Sequence, residues 1–260
     1  MIFDCHVHPS VKIPTATLLA EARRACIDRI CLFSLGIETQ ESGDFANPTI
    51  KEVGEGNDIV LRAMAEHPEE IVGYCFVNPR HPEHALEEIS RCVLEGPMIG
   101  VKLWISLRCS NPQVLKLGER ISEMGLPVLA HCWNKATGNY EEESTTRDIA
   151  VLAAHCPELR IIAPHITGQG RRGLEEIAPH PNVFVDTSGG QPETGILEFA
   201  VRALGCSRVF YGSDYPGRGF SASLGRILGA KLSEEEKRQI LGSNFLNFLN
   251  QAKNRQELHV

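Results

Sequence analysis

Phe3-Asp4-Cys5-His6-Val7-His8 opens the chain with a short β-rich run. Successive side chains of a strand point to opposite faces, so Asp4, His6 and His8 share one face and Phe3, Cys5 and Val7 the other. Three polar groups on one side of an apolar strand lose their water on burial, unless they are hydrogen-bonded or bind a metal. Two histidines two residues apart therefore suggest a single metal ion.

Outward from this strand the chain repeats one pattern: a β-rich run, a punctuated loop, then a helical stretch. The strands are expected at 2–6, 29–33, 71–77, 99–105, 127–131, 160–164, 183–186 and 208–211. Helices are expected at 15–26, from a cap at Asn47 with Pro48 first to His67, and at 83–94, 112–124, 145–154, 171–177 and 193–204. Two C-terminal helices close the count, and the loop at 34–47 is long. Eight strand–helix alternations imply parallel strands with right-handed crossovers, and eight is the number that closes a (β/α)8 TIM barrel. An open doubly wound sheet is the other arrangement, but no G-x-G-x-x-G follows the first strand.

Composition narrows the class. With 260 residues and 42% hydrophobic content, the chain fits one large domain over 1–260. A formal charge of −7 and a pI near 5.8 speak against nucleic acid or an anionic membrane as partner and for a small-molecule substrate. The nine cysteines form no C-x-x-C pair, and the chain starts on a strand rather than a charged and then apolar leader. A cytoplasmic protein with free thiols is expected, and a homo-oligomer is left open. No apolar run approaches the roughly 18 residues of a membrane span.

In such a barrel the C-terminal strand ends carry the chemistry. His6 and His8 close the first strand, Lys102 and Trp104 lie late on the fourth, His131 ends the fifth, His165 the sixth, and Asp214 follows the eighth. Six metal-capable groups thus meet on one rim. Trp104 and Trp133 are expected to line the pocket, and Arg108 stands where a guanidinium could clamp a carboxylate. The loop 132–146, with Glu141-Glu142-Glu143, reads as a lid or specificity wall.

Several of these pieces together are specific. The opening run, His131 after Pro127-Val128-Leu129-Ala130, Ile161-Ile162-Ala163-Pro164-His165-Ile166-Thr167-Gly168, Gly212-Ser213-Asp214-Tyr215-Pro216 and Ile240-Leu241-Gly242-Ser243-Asn244 resemble the amidohydrolase superfamily. The resemblance is to its amidohydrolase-related branch, with aminocarboxymuconate-semialdehyde decarboxylase-like enzymes and several lactonases. It implies a distorted barrel in which His6, His8, His131 and Asp214 ligate a divalent metal, commonly zinc. His165 would ligate a second metal or act beside the first. Lys102 would be carboxylated and bridge two metals, as in binuclear members, bind a substrate carboxylate, or pair with Asp4.

Each residue type has a chemical reason. Imidazoles and one carboxylate leave a divalent ion positive with an open position, which lowers the pKa of bound water from about 15.7 toward 7. Asp214 would take and return the proton, and His165 would stabilise charge developing on oxygen. Asp4 is expected either to orient an imidazole or to be a buried strand-end hydrogen-bonder with no metal contact. The expected reaction is hydrolysis of a lactone, amide or ester, with non-oxidative decarboxylation of an unsaturated or aromatic acid as the alternative.

Overall fold

Apolar triplets such as Val128-Leu129-Ala130 and Ile161-Ile162-Ala163 are buried on both faces, as strands of a parallel sheet are. The computed structural model describes residues 1–37, 43–189 and 193–257; part of the expected 34–47 loop therefore lies outside the described residues. The strands are β1 (Phe3–Val7), β2 (Arg29–Leu32), β3 (Ile71–Gly73), β4 (Cys75–Phe76), β5 (Val101–Leu103), β6 (Val128–Ala130), β7 (Ile161–Ala163), β8 (Val183–Asp186) and β9 (Val209–Phe210). Between and after them run α1 (Thr15–Arg24), α2 (Ile50–Glu66), α3 (Pro82–Ile89), α4 (Pro112–Glu123), α5 (Thr146–His155), α6 (Ile166–Ile177), α7 (Ile196–Leu204), α8 (Phe220–Leu228), α9 (Glu234–Arg238) and α10 (Asn244–Glu257). All strand pairs are parallel, and the architecture is a distorted TIM barrel.

The distortion has two places. The single strand expected at 71–77 divides at Tyr74: its amide bonds Leu32 O at 3.1 Å, whereas the next amide, Cys75 N, bonds Gly100 O at 2.9 Å. One strand thus serves two neighbours in turn, and the ladder splits into β1–β3 and β4–β9. The second place is the seam between β1 and the chain after β9. There Cys5 N donates to Tyr211 O at 2.9 Å, Asp214 N to His6 O at 2.9 Å and His8 N to Tyr215 O at 2.8 Å.

A bulge in β1 overturns the expected alternation. Asp4 pairs with Ile30 and Val7 with Leu32, so three steps on β1 match two on β2. Phe3 and Cys5 pack with Cys31, Phe33, Leu129, Ile162 and Phe210 inside the barrel, but Val7 joins the layer between strands and helices. Asp4 consequently does not share a face with His6. Its Oδ1 accepts from His6 N and Ser213 N, both at 3.0 Å, so it braces the seam and orients no imidazole. Phe245 and Phe248 of α10 close the bottom of the barrel against Phe3 and Phe210.

Helix ends differ from expectation where side chains choose otherwise. Asn47 does not cap α2, because its Oδ1 is taken by Asn78 Nδ2; Thr49 caps it in a reciprocal box with Glu52. Helix α6 starts at Ile166 rather than 171 and breaks at Gly170, where φ is 66°. The C-terminal region holds three helices, with a π-helical turn at Gln239–Ser243 joining α9 to α10. No helix of the described residues is long and apolar enough to cross a membrane.

Gly212 links the fold to the site. A Cβ there would fall 2.9 Å from His6 Cβ and 3.1 Å from Asp186 Cγ. Gly212→Ala should therefore cost about 1–3 kcal/mol by overpacking and weaken metal binding by displacing His6. A variant with unchanged melting temperature and metal affinity would refute this tight contact.

Candidate metal centre and active site

Three donors come together at the barrel mouth. His6 Nε2 lies 3.6 Å and His8 Nε2 3.4 Å from Asp214 Oδ1, and the ligand atoms of the three residues all lie within 4.8 Å of one another. Two imidazole nitrogens and a carboxylate oxygen converging at this range are a donor set that fits a divalent cation. Burial raises the Asp214 pKa, but the His8 hydrogen bond and the imidazoles of His165 and His6 around it outweigh burial, holding the carboxyl well below its usual range. Asp214 and His165 both adopt left-handed backbone, each at φ 68°, as strained residues at functional sites often do.

The back of the site is held by residues that strand-end reasoning missed. Asp186 ends β8 fully buried; its Oδ2 accepts from His6 Nδ1 at 2.8 Å and its Oδ1 from His165 N at 3.1 Å. That bond puts the proton of His6 on Nδ1 and leaves Nε2 free to ligate. Ser188 Oγ bonds Asp186 Oδ1 and lies 2.8 Å from His165 Nδ1. Burial lowers the pKa of His6 and drives that of His165 well down, despite the nearby acids, so both rings are neutral.

His131 also reaches the site. Its ring centroid is 5.1 Å from that of His165, but it is not among the converging donors. Its Nε2 is instead 3.0 Å from Glu143 Oε1, and Glu143 Oε2 accepts from Lys135 Nζ at 2.7 Å. Burial alone would raise the Glu143 pKa; the bonds from His131, Lys135 and the Tyr140 amide bring it down to about 2. Burial lowers His131 to about 4, so a neutral ring faces an ionised carboxylate. Nε2 must then carry the proton, which leaves the Nδ1 lone pair facing His165 Nε2 at 3.2 Å.

The remaining candidates divide. Trp133 is in the pocket, its ring 4.9 Å from His165 and 6.4 Å from His131. Room for it depends on glycine: a Cβ at Gly168 would fall 2.6 Å from Trp133, and one at Gly189 2.5 Å from His165 Nδ1. Trp104 belongs to an outer aromatic group, 6.0 Å from Phe45, which is 5.5 Å from Tyr140. Arg108 Nε bonds Glu141 O at 2.8 Å and ties down the 132–146 loop. Lys102 is buried on β5, with Nζ 4.9 Å from the Phe33 ring centroid and no ion pair to Asp4 or another acid among the described residues. Burial lowers its pKa to about 8, against the pull of Asp186 and Asp214. A separate buried group, Cys75, Glu88 and Cys92, lies away from the mouth and is engaged by Asn57 and Arg91.

Known proteins share this fold. The chain is 21% identical over 239 residues to 2-amino-3-carboxymuconate-6-semialdehyde decarboxylase of Dictyostelium discoideum, a match covering 74% of this chain and 65% of that relative's length. The fold matches the crystal structure of 2,6-dihydroxybenzoate decarboxylase from Rhizobium with a TM-score of 0.77 at 16% identity, covering 96% of this chain and 98% of that one. It also matches a dihydroxybenzoic acid decarboxylase from Polaromonas, solved with manganese and 2-nitroresorcinol, with a TM-score of 0.73 at 17% identity and 96% of both chains covered. The amidohydrolase family model matches residues 3–249, and with nearly the whole barrel inside that match, the chain belongs to the amidohydrolase family.

Proposed function

We propose that the chain is a metal-dependent decarboxylase that removes carbon dioxide, without oxidation, from a small aromatic or unsaturated carboxylic acid. The observation that carries the reading is the hydrogen-bonded chain Lys135–Glu143–His131–His165, which runs from a partly exposed ammonium into the buried site. Decarboxylation replaces a carbon–carboxylate bond by a carbon–hydrogen bond, so each turnover draws one proton from solvent. Hydrolysis has no such need. The curated relative and the two structural neighbours, decarboxylases by name, support the same choice.

His6, His8 and Asp214 would hold the cation, which when bound polarises a substrate oxygen and lowers the pKa of bound water. Zinc and manganese(II) are the two candidates, and metal analysis of protein purified without added metal distinguishes them. Trp133 offers an aromatic face beside His165 for a planar acid. As carbon dioxide leaves, the electron pair of the broken bond stays on carbon and takes a proton. Asp214, with a quarter of its side chain exposed, faces both the histidines and the mouth and delivers that proton. The proton enters from solvent at Lys135 and is handed along Glu143, His131 and His165 to Asp214, each group returning to its starting state after turnover. None of the nine cysteines is in a disulfide, which suits a cytoplasmic location.

The test sets carbon dioxide release from hydroxybenzoates and muconate-type acids against hydrolysis of a lactone, amide and ester panel, both with metal-loaded protein. Carbon dioxide release is expected; ring opening or ester cleavage without it would restore the hydrolase reading.

Two variants probe the assigned roles. Asp214→Asn keeps the shape and one oxygen donor, so metal should largely remain while turnover falls about 10²- to 10⁴-fold. Metal-loaded Asp214→Asn with near wild-type turnover would remove Asp214 from proton transfer. Glu143→Ala should leave folding and metal content intact but lower turnover about 10- to 100-fold, because His131 loses the partner that fixes its proton on Nε2. Unchanged turnover would mean the proton arrives by another route.

A further inference from the structure

We propose that Cys75, Glu88 and Cys92 form a structural metal site for a thiophilic divalent cation of the zinc class, separate from the centre at the mouth. The bound ion ties the helix that follows β4 to the point where the barrel ladder divides.

Two elements supply the donors. Cys75 opens β4, directly after Tyr74, where the chain passes from one neighbouring strand to the other. Its side chain turns to the layer between strands and helices, and Cys92 lies in the same layer. Glu88 and Cys92 are four residues apart, a spacing that puts two side chains on one helical face. The helix changes there from α3 to a π-helical turn at Ser90–Leu94, closed by Glu95 N to Ser90 O at 2.9 Å. Single π turns inside helices recur at functional sites. The two sulfurs and a Glu88 oxygen all lie within 4.8 Å of one another, and all three residues are buried. Zinc–sulfur bonds of about 2.3 Å and zinc–oxygen bonds of about 2.1 Å separate tetrahedral donors by roughly 3.5–3.8 Å, so side-chain shifts of about 1 Å seat the ion.

The surroundings fit a ligand set. Asn57 Nδ2 donates to Glu88 Oε2 at 2.7 Å, and Arg91 donates to both oxygens, Nε to Oε1 at 2.8 Å and Nη2 to Oε2 at 2.9 Å. These bonds orient the carboxylate and keep it ionised despite burial, as the outer partners of a metal ligand do. The sulfurs make long contacts: Cys92 Sγ to Glu88 Oε2 at 3.7 Å, Cys75 Sγ to Phe76 O at 3.8 Å, and Asn57 Nδ2 to Cys75 Sγ at 3.6 Å. Burial pushes the Cys75 thiol well up, so it stays protonated and inert to oxidants until a cation displaces the proton. On binding, each thiol gives its proton to solvent. Two thiolates and Glu88 then carry three negative charges, which the divalent cation and Arg91 balance, while Arg91 keeps its bond to Asp58 at the surface. Two sulfurs among three donors select a soft cation over magnesium or manganese, so this site and the one at the mouth differ in the metal they favour.

Cobalt(II) reads the two sites apart. Thiolate ligands give a sulfur-to-cobalt charge-transfer band in the near ultraviolet, whereas His6, His8 and Asp214 offer no sulfur. Reduced, metal-stripped protein is titrated with cobalt(II) alone, and about two equivalents should bind per chain, one of them with the band. Cys75→Ser and Cys92→Ser should each lose the band and one equivalent. Glu88→Gln should weaken that equivalent at least about 10-fold, and Cys26→Ala, at an exposed thiol, should leave it unchanged. Cys75→Ala and Cys92→Ala replace the serine variants if those fail to fold, because alanine brings no hydroxyl into a buried layer. The proposal is overturned if wild type gives no band, or if the band survives loss of Cys75 or Cys92. A Cys75–Cys92 disulfide in freshly isolated protein, read by mass spectrometry without reduction, overturns it as well, since oxidised sulfurs cannot ligate as thiolates.

Discussion

The closing seam of the barrel is the constraint on which the site depends. His6 and Asp214 are more than two hundred residues apart in sequence, yet the Asp214 amide donates to the His6 carbonyl at 2.9 Å. The same backbone bond that ends the fold thus sets two metal donors side by side. Asp214 takes left-handed backbone to do this, at φ 68°, a conformation that costs a non-glycine residue of order 1 kcal/mol. Neighbouring bonds hold the turn: Ser213 N donates to Asp4 Oδ1 and Tyr215 N to Ser213 Oγ. Asp4 is itself fully buried, and burial pushes its carboxyl up to about 7. A polar group is accepted there because it satisfies two amides that the seam would otherwise leave without partners.

The β1 bulge has the same logic. A regular strand would turn Asp4 and His6 to one side and Cys5 to the other. The extra residue between the Asp4–Ile30 and Val7–Leu32 pairs lets Cys5 fill the interior while His6 also faces it. His6 then meets Asp186 from β8, one strand beyond the seam. Hydrogen-bond geometry, rather than sequence proximity, chooses the acid that orients the imidazole.

How much of this was legible follows from which signals are local. Strand positions were readable because buried parallel strands are apolar runs with punctuation at their ends, and the expected 183–186 is the observed β8. His6, His8 and Asp214 were readable as strand-end polar groups, and the structure does bring them together. Asp186 ended a correctly placed strand and could have been found by the same rule. Glu143 could not: within Glu141-Glu142-Glu143 nothing distinguishes the member that is 2% exposed from neighbours facing solvent. The bulge was hidden too, because the register of β1 is set by β2 and by the seam, not by the alternation of Phe3 to His8. Asn47 could not be rejected as a cap without knowing that Asn78 would claim its side chain.

Glu143 also sets how the histidine at the end of the fifth barrel strand is held. A neutral imidazole has one lone pair to offer. Once its Nε2–H is committed to a buried, ionised carboxylate, that lone pair is on Nδ1, and here it points at His165. Lys135 sits on the other oxygen of Glu143 at 2.7 Å and keeps the carboxylate charged in spite of burial. The loop that carries both residues is tied to the β5 side by the Arg108 bond to Glu141 O. A surface arginine therefore bears on the site at one remove: it fixes the loop, the loop fixes Glu143, and Glu143 decides which nitrogen of His131 can act as an acceptor.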